Sequence, residues 1–324
     1  MSALLEIENL RVAFNTRHGE VTALDSVSLT VNAGETLGVV GESGCGKSIT
    51  ALSEMGLIPS PPGRIAGGAI RLAGEGLTRV SEARMRALRG AELAMIFQEP
   101  MTSLNPVFTV GDQIAEAIML HQKVGHAQAF RDAVALLDRV GIPSPDRRAR
   151  DYPHQLSGGM RQRVMIAMAV SCRPRVLIAD EPTTALDVTV QAQIFDLLNE
   201  NHRDFGAAII LITHDMGAIS EMADRVAVMY AGRVIEEADA DDVLDHPQHP
   251  YTRGLISCIP ALGKGDTELR EIPGVVPPLH RLGAGCAFAE RCAHRNGRCD
   301  SGKPLLVNHG HHPAACHAVQ EGRI

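Results

Sequence analysis

Gly41-Glu42-Ser43-Gly44-Cys45-Gly46-Lys47-Ser48 fits the pattern G-x-x-x-x-G-K-S/T. An apolar run, Thr36 to Val40, precedes it, and a stretch of helical character, Ser48 to Met55, follows. Strand, glycine-rich turn and helix in that order constrain the fold more than any other feature of the chain. The glycines let the backbone curl so that successive N–H groups from Gly41, Ser43, Gly44, Cys45 and Gly46 through Ile49 face phosphate oxygens. The helix N-terminus adds its partial positive charge. Lys47 is expected to reach β- and γ-phosphates, and the Ser48 hydroxyl to ligate Mg²⁺. Cys45 reads as a small side chain at a crowded turn, with a thiol open to alkylation.

The remainder of the chain fits an α/β architecture. Leu4 to Val12, Val21 to Val31, Val176 to Ala179, Ala208 to Ile212 and Val226 to Tyr230 read as strands. Ala231-Gly232 followed by Arg233 to Ile235 signals a hairpin. Short runs that are apolar throughout suit central strands covered on both faces. Helical spacing appears at Phe130, Val134 and Leu137, and again at Val190, Ile194 and Leu197. The segment from about 100 to 155 reads as a helical insertion.

Length and composition set the outer limits. A chain of 324 residues suggests about two domains at ~100–200 residues each. With 45% hydrophobic and 21% charged residues it is neither disordered nor collagen-like. A formal charge of -7 argues against bulk nucleic-acid binding, which needs a basic face. No run approaches the ~18–20 apolar residues of a membrane helix. The start, MSALLEIENL, has neither a basic end nor an apolar core, so no signal peptide is expected and the cytosol is the expected compartment. Reducing conditions there argue against a disulfide framework for the 7 cysteines.

Val176-Leu177-Ile178-Ala179 ends in Asp180-Glu181. An Asp at the carboxyl end of a buried strand suits Mg²⁺, and the Glu beyond it suits polarisation of an attacking water. His214 closes the next apolar run, at the end of a strand where open α/β sheets bind ligands. Leu156-Ser157-Gly158-Gly159-Met160 lies between the loop and the acid pair, and by itself reads as a helix N-cap.

Together these motifs resemble the ATP-binding subunit of ABC transporters, and the resemblance covers almost the whole chain. Gly41 to Ser48 is similar to the Walker A loop, Gln98 to the Q-loop glutamine, and Leu156 to Met160 to the signature motif. Asp180 and Glu181 match Walker B and the catalytic glutamate, Ala185-Leu186-Asp187 the D-loop, and His214 the switch histidine. Met160 stands where many members have Gln, which leaves Ser157, Gly158 and Gly159 intact. The adenine-stacking position falls on His18, with Phe14 as the alternative. Met95 to Pro106, Tyr152 to Met160 and His249-Pro250-Tyr251-Thr252 narrow the likeness to the oligopeptide/dipeptide (and nickel) importers, nearest the dipeptide-permease ATPase subunits.

The resemblance implies a P-loop ABC ATPase core over 1–245, with an antiparallel β subdomain and a helical subdomain (about 100–155). A small Cys-rich extension over 246–324 follows. It implies ATP and Mg²⁺ as ligands, Mg²⁺ being held through Ser48, Gln98 and Asp180, with Glu181, His214 and Gln98 serving hydrolysis. Ser157, Gly158 and Gly159 would cover the ATP of a second, homologous ATPase subunit in a heterodimer. Two transmembrane permease subunits and a periplasmic or extracytoplasmic substrate-binding protein complete the implied assembly, with no nucleic acid. The chain would sit peripherally on the cytoplasmic face of the inner membrane and power import of di- or oligopeptides. Nickel, haem or glutathione are alternative cargoes. A soluble ABC ATPase and a redox or iron sensor are the alternative classes.

The tail has its own chemistry. Cys286-x5-Cys292-x6-Cys299-x16-Cys316 places four thiols in a segment rich in Pro and Gly. Four cysteines suit Zn²⁺ or an iron–sulfur cluster, and the spacing names neither. The resemblance implies a 4Fe-4S cluster, through the run Cys286, Phe288, Arg291 and Cys292 with two later cysteines. Nearby His294, His309, His311, His312 and His317 keep Zn²⁺ as the alternative.

Overall fold

The computed structural model describes residues 3–17, 19–99, 103–183, 188–258 and 271–324. In chain order its principal elements are β1 (Leu5–Thr16), β2 (Gly19–Val31), β3 (Thr36–Val40), α1 (Lys47–Glu54), β4 (Gly63–Leu72), β5 (Glu75–Gly76) and α2 (Glu82–Leu88). Then come β6 (Leu93–Ile96), α3 (Val110–Gln122), α4 (His126–Arg139), α5 (Gly158–Val170), β7 (Val176–Asp180), α6 (Val188–Phe205) and β8 (Ala208–Thr213). The last are α7 (Met216–Met222), β9 (Arg225–Tyr230), β10 (Arg233–Asp239), α8 (Pro250–Ser257), β11 (Val307–His309) and β12 (His312–Ala314).

The chain forms two compact units that do not follow sequence order. One comprises Met1–Leu4, Val31–Glu35 and Arg79–Ile212; the other comprises Leu5–Thr30, Thr36–Thr78 and Thr213–Ile324. Residues 246–324 thus belong to the same unit as the glycine-rich loop.

The second unit contains an antiparallel sheet of order β2-β1-β4-β5. Leu5 pairs with Leu72 and Phe14 with Gly63, and the register shifts between Glu8 and Arg11. Its other strands centre on β3, whose residues are all buried as expected of a strand covered on both faces. β3 runs parallel to β9, which turns back into β10. Ala231 and Gly232 both take positive φ in that turn (46° and 79°), the geometry of a tight hairpin. β12 and β11 extend β10 with chain from the extension.

The first unit contains the parallel strands β6, β7 and β8. β7 is buried from end to end. The helical segment is present as α3 and α4, but the buried stripe of α4 is Ala129, Ala133 and Leu137, one residue out of phase with the spacing of Phe130 and Val134. Small residues let the helix approach its neighbours closely. Phe130 instead lies half-buried, with the Arg150 guanidinium 5.5 Å from its ring centroid. α5 buries residues on most of its circumference, as a core helix does.

Candidate functional site

The glycine-rich loop leaves β3 at Gly41, where φ is 152° and a Cβ would collide with the Met229 carbonyl. Gly46 caps α1 at φ 111°, and a Cβ there would stand 2.8 Å from Leu24 Cδ2. Lys47 is 5% exposed, and its Nζ donates to Gly41 O at 2.6 Å and Glu42 O at 3.2 Å. The ammonium therefore holds the two ends of the loop together. Ser43 and Gly44 are exposed at its tip, and Ser48 and Ile49 are half-buried. The Gly232 N–H of the β9–β10 turn donates to Cys45 O at 2.8 Å, bracing the loop from beneath. Cys45 is fully buried, and burial pushes its thiol pKa up. That corrects the expectation of an alkylatable thiol.

The extension grips the same loop. The Glu42 N–H donates to Tyr251 Oη at 2.8 Å, and Arg291 donates to the Glu42 carboxylate at 2.6 and 3.0 Å. His249 caps α8 by accepting from the Tyr251 N–H at 3.0 Å, and burial lowers its pKa to about 3. Phe288 packs edge-on against Tyr230 and Tyr251, with ring centroids 5.3 and 5.5 Å away. Burial raises the pKa of both tyrosine hydroxyls.

In the other unit, Asp180 closes β7 at 3% exposure. Glu181 follows in the left-handed region (φ 47°), a conformation that costs a non-glycine residue on the order of 1–3 kcal/mol. Its N–H donates to Ile212 O at 2.8 Å, and its Oε2 accepts from Gln98 Nε2 at 3.0 Å. Gln98 and Glu181 are thus brought together. Ser157 caps α5, accepting from the Met160 N–H at 3.3 Å, and Ser157 and Gly158 are exposed. Further along α5, Gln162 is 1% exposed and donates to Pro182 O at 2.7 Å. Gln162 therefore fixes the residue that follows Glu181, a role no motif spacing announces. His214 is exposed, and Asp215 caps α7 through the Gly217 and Ala218 N–H groups. His18 and Ala185-Leu186-Asp187 lie outside the described residues.

Cys286, Cys292, Cys299 and Cys316 are free thiols. They lie near enough to feel one another's charge, and Cys286 is pushed up to about 11 by burial, with the other three adding to the rise. Burial also raises Cys292 and Cys316. Yet among the described residues no three His, Cys, Asp or Glu side chains are placed to hold a metal ion. The donors have the number and kind that a 4Fe-4S cluster or Zn²⁺ takes, but they are not gathered into a metal shell. Two of the histidines are engaged elsewhere: His312 bonds Glu236 at 2.6 Å, and His317 bonds Gly302 O at 3.0 Å. No helix among the described residues is long and apolar enough to cross a membrane.

Comparison with known proteins agrees with this geometry. Residues 24–184 match the ABC transporter family, and residues 235–299 match the oligopeptide/dipeptide transporter C-terminal region. The chain is 49% identical to the dipeptide transport ATP-binding protein DppD of Bacillus subtilis, over 93% of this chain and 90% of that protein. It is 51% identical to the oligopeptide transport ATP-binding protein OppD of Salmonella typhimurium, over 94% and 90%. Among solved structures, the ATP-binding cassette MJ0796 in a dimeric post-hydrolysis state superposes with a TM-score of 0.67 at 24% identity, covering 73% of this chain and 98% of that one. The fold is therefore that of an ABC ATPase, with mixed sheets and helices. The cbiO1 cassette of Clostridium perfringens gives a TM-score of 0.62 at 26% identity, covering 76% and 92%. The chain belongs to the ATP-binding proteins of the oligopeptide/dipeptide ABC transporter family, and is an ABC-type ATPase.

Proposed function

We propose that this ATPase powers import of di- or oligopeptides through a membrane permease to which it binds peripherally, on the cytoplasmic face. Peptide is favoured over nickel, haem or glutathione because the relatives it matches at about half identity are named for dipeptide and oligopeptide transport. In this reading the loop amides and Lys47 take the ATP phosphates. Ser48 and Asp180 supply oxygen ligands to Mg²⁺, which contributes charge neutralisation at the phosphates. Glu181 polarises the attacking water, Gln98 senses the nucleotide, and His214 meets the γ-phosphate. Exposed Ser157 and Gly158, with half-buried Gly159, offer their backbone to ATP on a second ATPase subunit. Two permease subunits and a substrate-binding protein complete the assembly.

The observation that carries the hydrolytic part is the contact between Gln98 and the left-handed Glu181. A strained acidic residue held by a glutamine at a strand end fits a positioned base better than a structural carboxylate does. Replacing Glu181 with Gln is expected to abolish ATP turnover while leaving ATP binding intact. Normal turnover by that variant would remove Glu181 from the mechanism. The four tail cysteines extend the proposal to a 4Fe-4S cluster, which requires the thiols to draw together and lose their protons. Iron and acid-labile sulfide analysis of protein prepared without oxygen tests this: stoichiometric iron and sulfide support it, and their absence removes it.

A further inference from the structure

Glu42 places a carboxylate in a loop built for phosphate, where a bare negative charge repels the ligand. Every polar group it has is occupied. Its N–H donates to Tyr251 Oη, its carbonyl accepts from Lys47 Nζ, and its carboxylate takes both arms of the Arg291 guanidinium. Tyr251 and Arg291 come from 209 and 249 positions downstream. We propose that Arg291 and Tyr251 are positioning residues for ATP binding, by which the C-terminal extension sets the shape of the phosphate loop and cancels the charge of Glu42. The proposal rests on the reading that this loop binds ATP.

The guanidinium is prearranged for the task. The Arg291 side chain is 4% exposed, whereas Glu42 is 30% exposed. Its Nε donates to Pro273 O at 2.8 Å and its Nη2 to Ile272 O at 3.3 Å, so the fork is aimed before any nucleotide arrives. It lies 5.9 Å from the Tyr230 centroid and 5.8 Å from that of Phe288. Planar two-point bonding to a carboxylate is the geometry Arg offers and Lys does not. Tyr251 is fully buried, so its hydroxyl is equally fixed. Lys47 binds the carbonyl of the same residue, so a tilt of Glu42 also moves the ammonium that meets phosphate.

Charge cancellation leaves a mark that simple bracing does not. Arg291→Ala strands the carboxylate beside the phosphates and is expected to weaken Mg·ATP binding by about tenfold or more. Adding Glu42→Gln removes the stranded charge, so the double variant should recover a large part of the lost affinity. Arg291→Lys should fall between the wild type and Ala. Arg298→Ala removes an exposed ion pair with Glu321 in the same extension and should leave ATP affinity unchanged. The experiment is calorimetric titration of the full-length chain with Mg·ATP, with thermal melting of each variant alongside. Weakened binding in Arg291→Ala, restored by Glu42→Gln, supports the proposal even where melting temperatures differ. Wild-type affinity in Arg291→Ala overturns it, as does a double variant no better than the single one. A wild-type chain that binds no Mg·ATP overturns the reading of the loop itself, and this proposal with it.

Discussion

Glu236→Ala should be among the most damaging single substitutions outside the phosphate loop. Glu236 lies on β10 with no exposure, and its carboxylate accepts the Gln248 N–H at 2.6 Å, the His249 N–H at 2.9 Å and His312 Nε2 at 2.6 Å. Truncation strands two backbone amides and a buried ring nitrogen. At about 1–3 kcal/mol for each of the three stranded buried groups, the loss is roughly 3–9 kcal/mol, a large share of the ~5–15 kcal/mol that stabilises a domain. Glu236→Gln keeps one acceptor oxygen and should cost roughly half as much. Urea unfolding of the two variants measures both losses. The defect should also reach the nucleotide, because His249 caps the helix that carries Tyr251 to Glu42. A loss below about 1 kcal/mol for Glu236→Ala would show that water replaces the carboxylate, and would refute this account of how the extension is anchored.

Three further outcomes are expected. Gln162→Ala removes the buried bond to Pro182 O and should lower kcat more than it changes the KM for ATP, since Gln162 supports the segment beside Glu181; an unchanged kcat in a steady-state assay would contradict this. His249 is held neutral by burial, its pKa lowered from 6.5 to about 3. The unfolded chain takes up a proton below pH 6.5 and the folded chain does not, so stability present above that pH is lost as pH falls towards 3, by up to ~1.4 kcal/mol per pH unit. His249→Asn keeps a capping acceptor and should flatten that slope in unfolding curves taken at several pH values. Cys45 should resist alkylation in the folded chain and react only on unfolding, as peptide mapping after brief iodoacetamide treatment would record.

The parts that were legible in the sequence are those where chemistry fixes residue types at fixed spacing. Gly41 to Ser48 needs its glycines and its Lys-Ser pair, so the strand, loop and helix around it followed. β7 and β8 were legible as short runs that are apolar throughout. β4 was not, because Gly67 and Gly68 interrupt any alternation and its burial is partial. The stripe of α4 was not legible, because the face that packs inward carries the small Ala129 and Ala133 rather than the larger Phe130 and Val134 beside them. The grip of the extension on the loop was out of reach. Glu42 occupies a free position of the motif, and Arg291 lies 249 residues away. Only the fold brings them together. The cysteines were legible as a donor set, but their number and spacing do not state how far apart the folded chain holds them.

Peptide import driven by this ATPase is tested most directly by capture of the tagged chain from detergent-solubilised membranes with its partners identified by mass. The account predicts two polytopic membrane proteins and a second ATP-binding subunit, retained together. Recovery of soluble partners alone would contradict it.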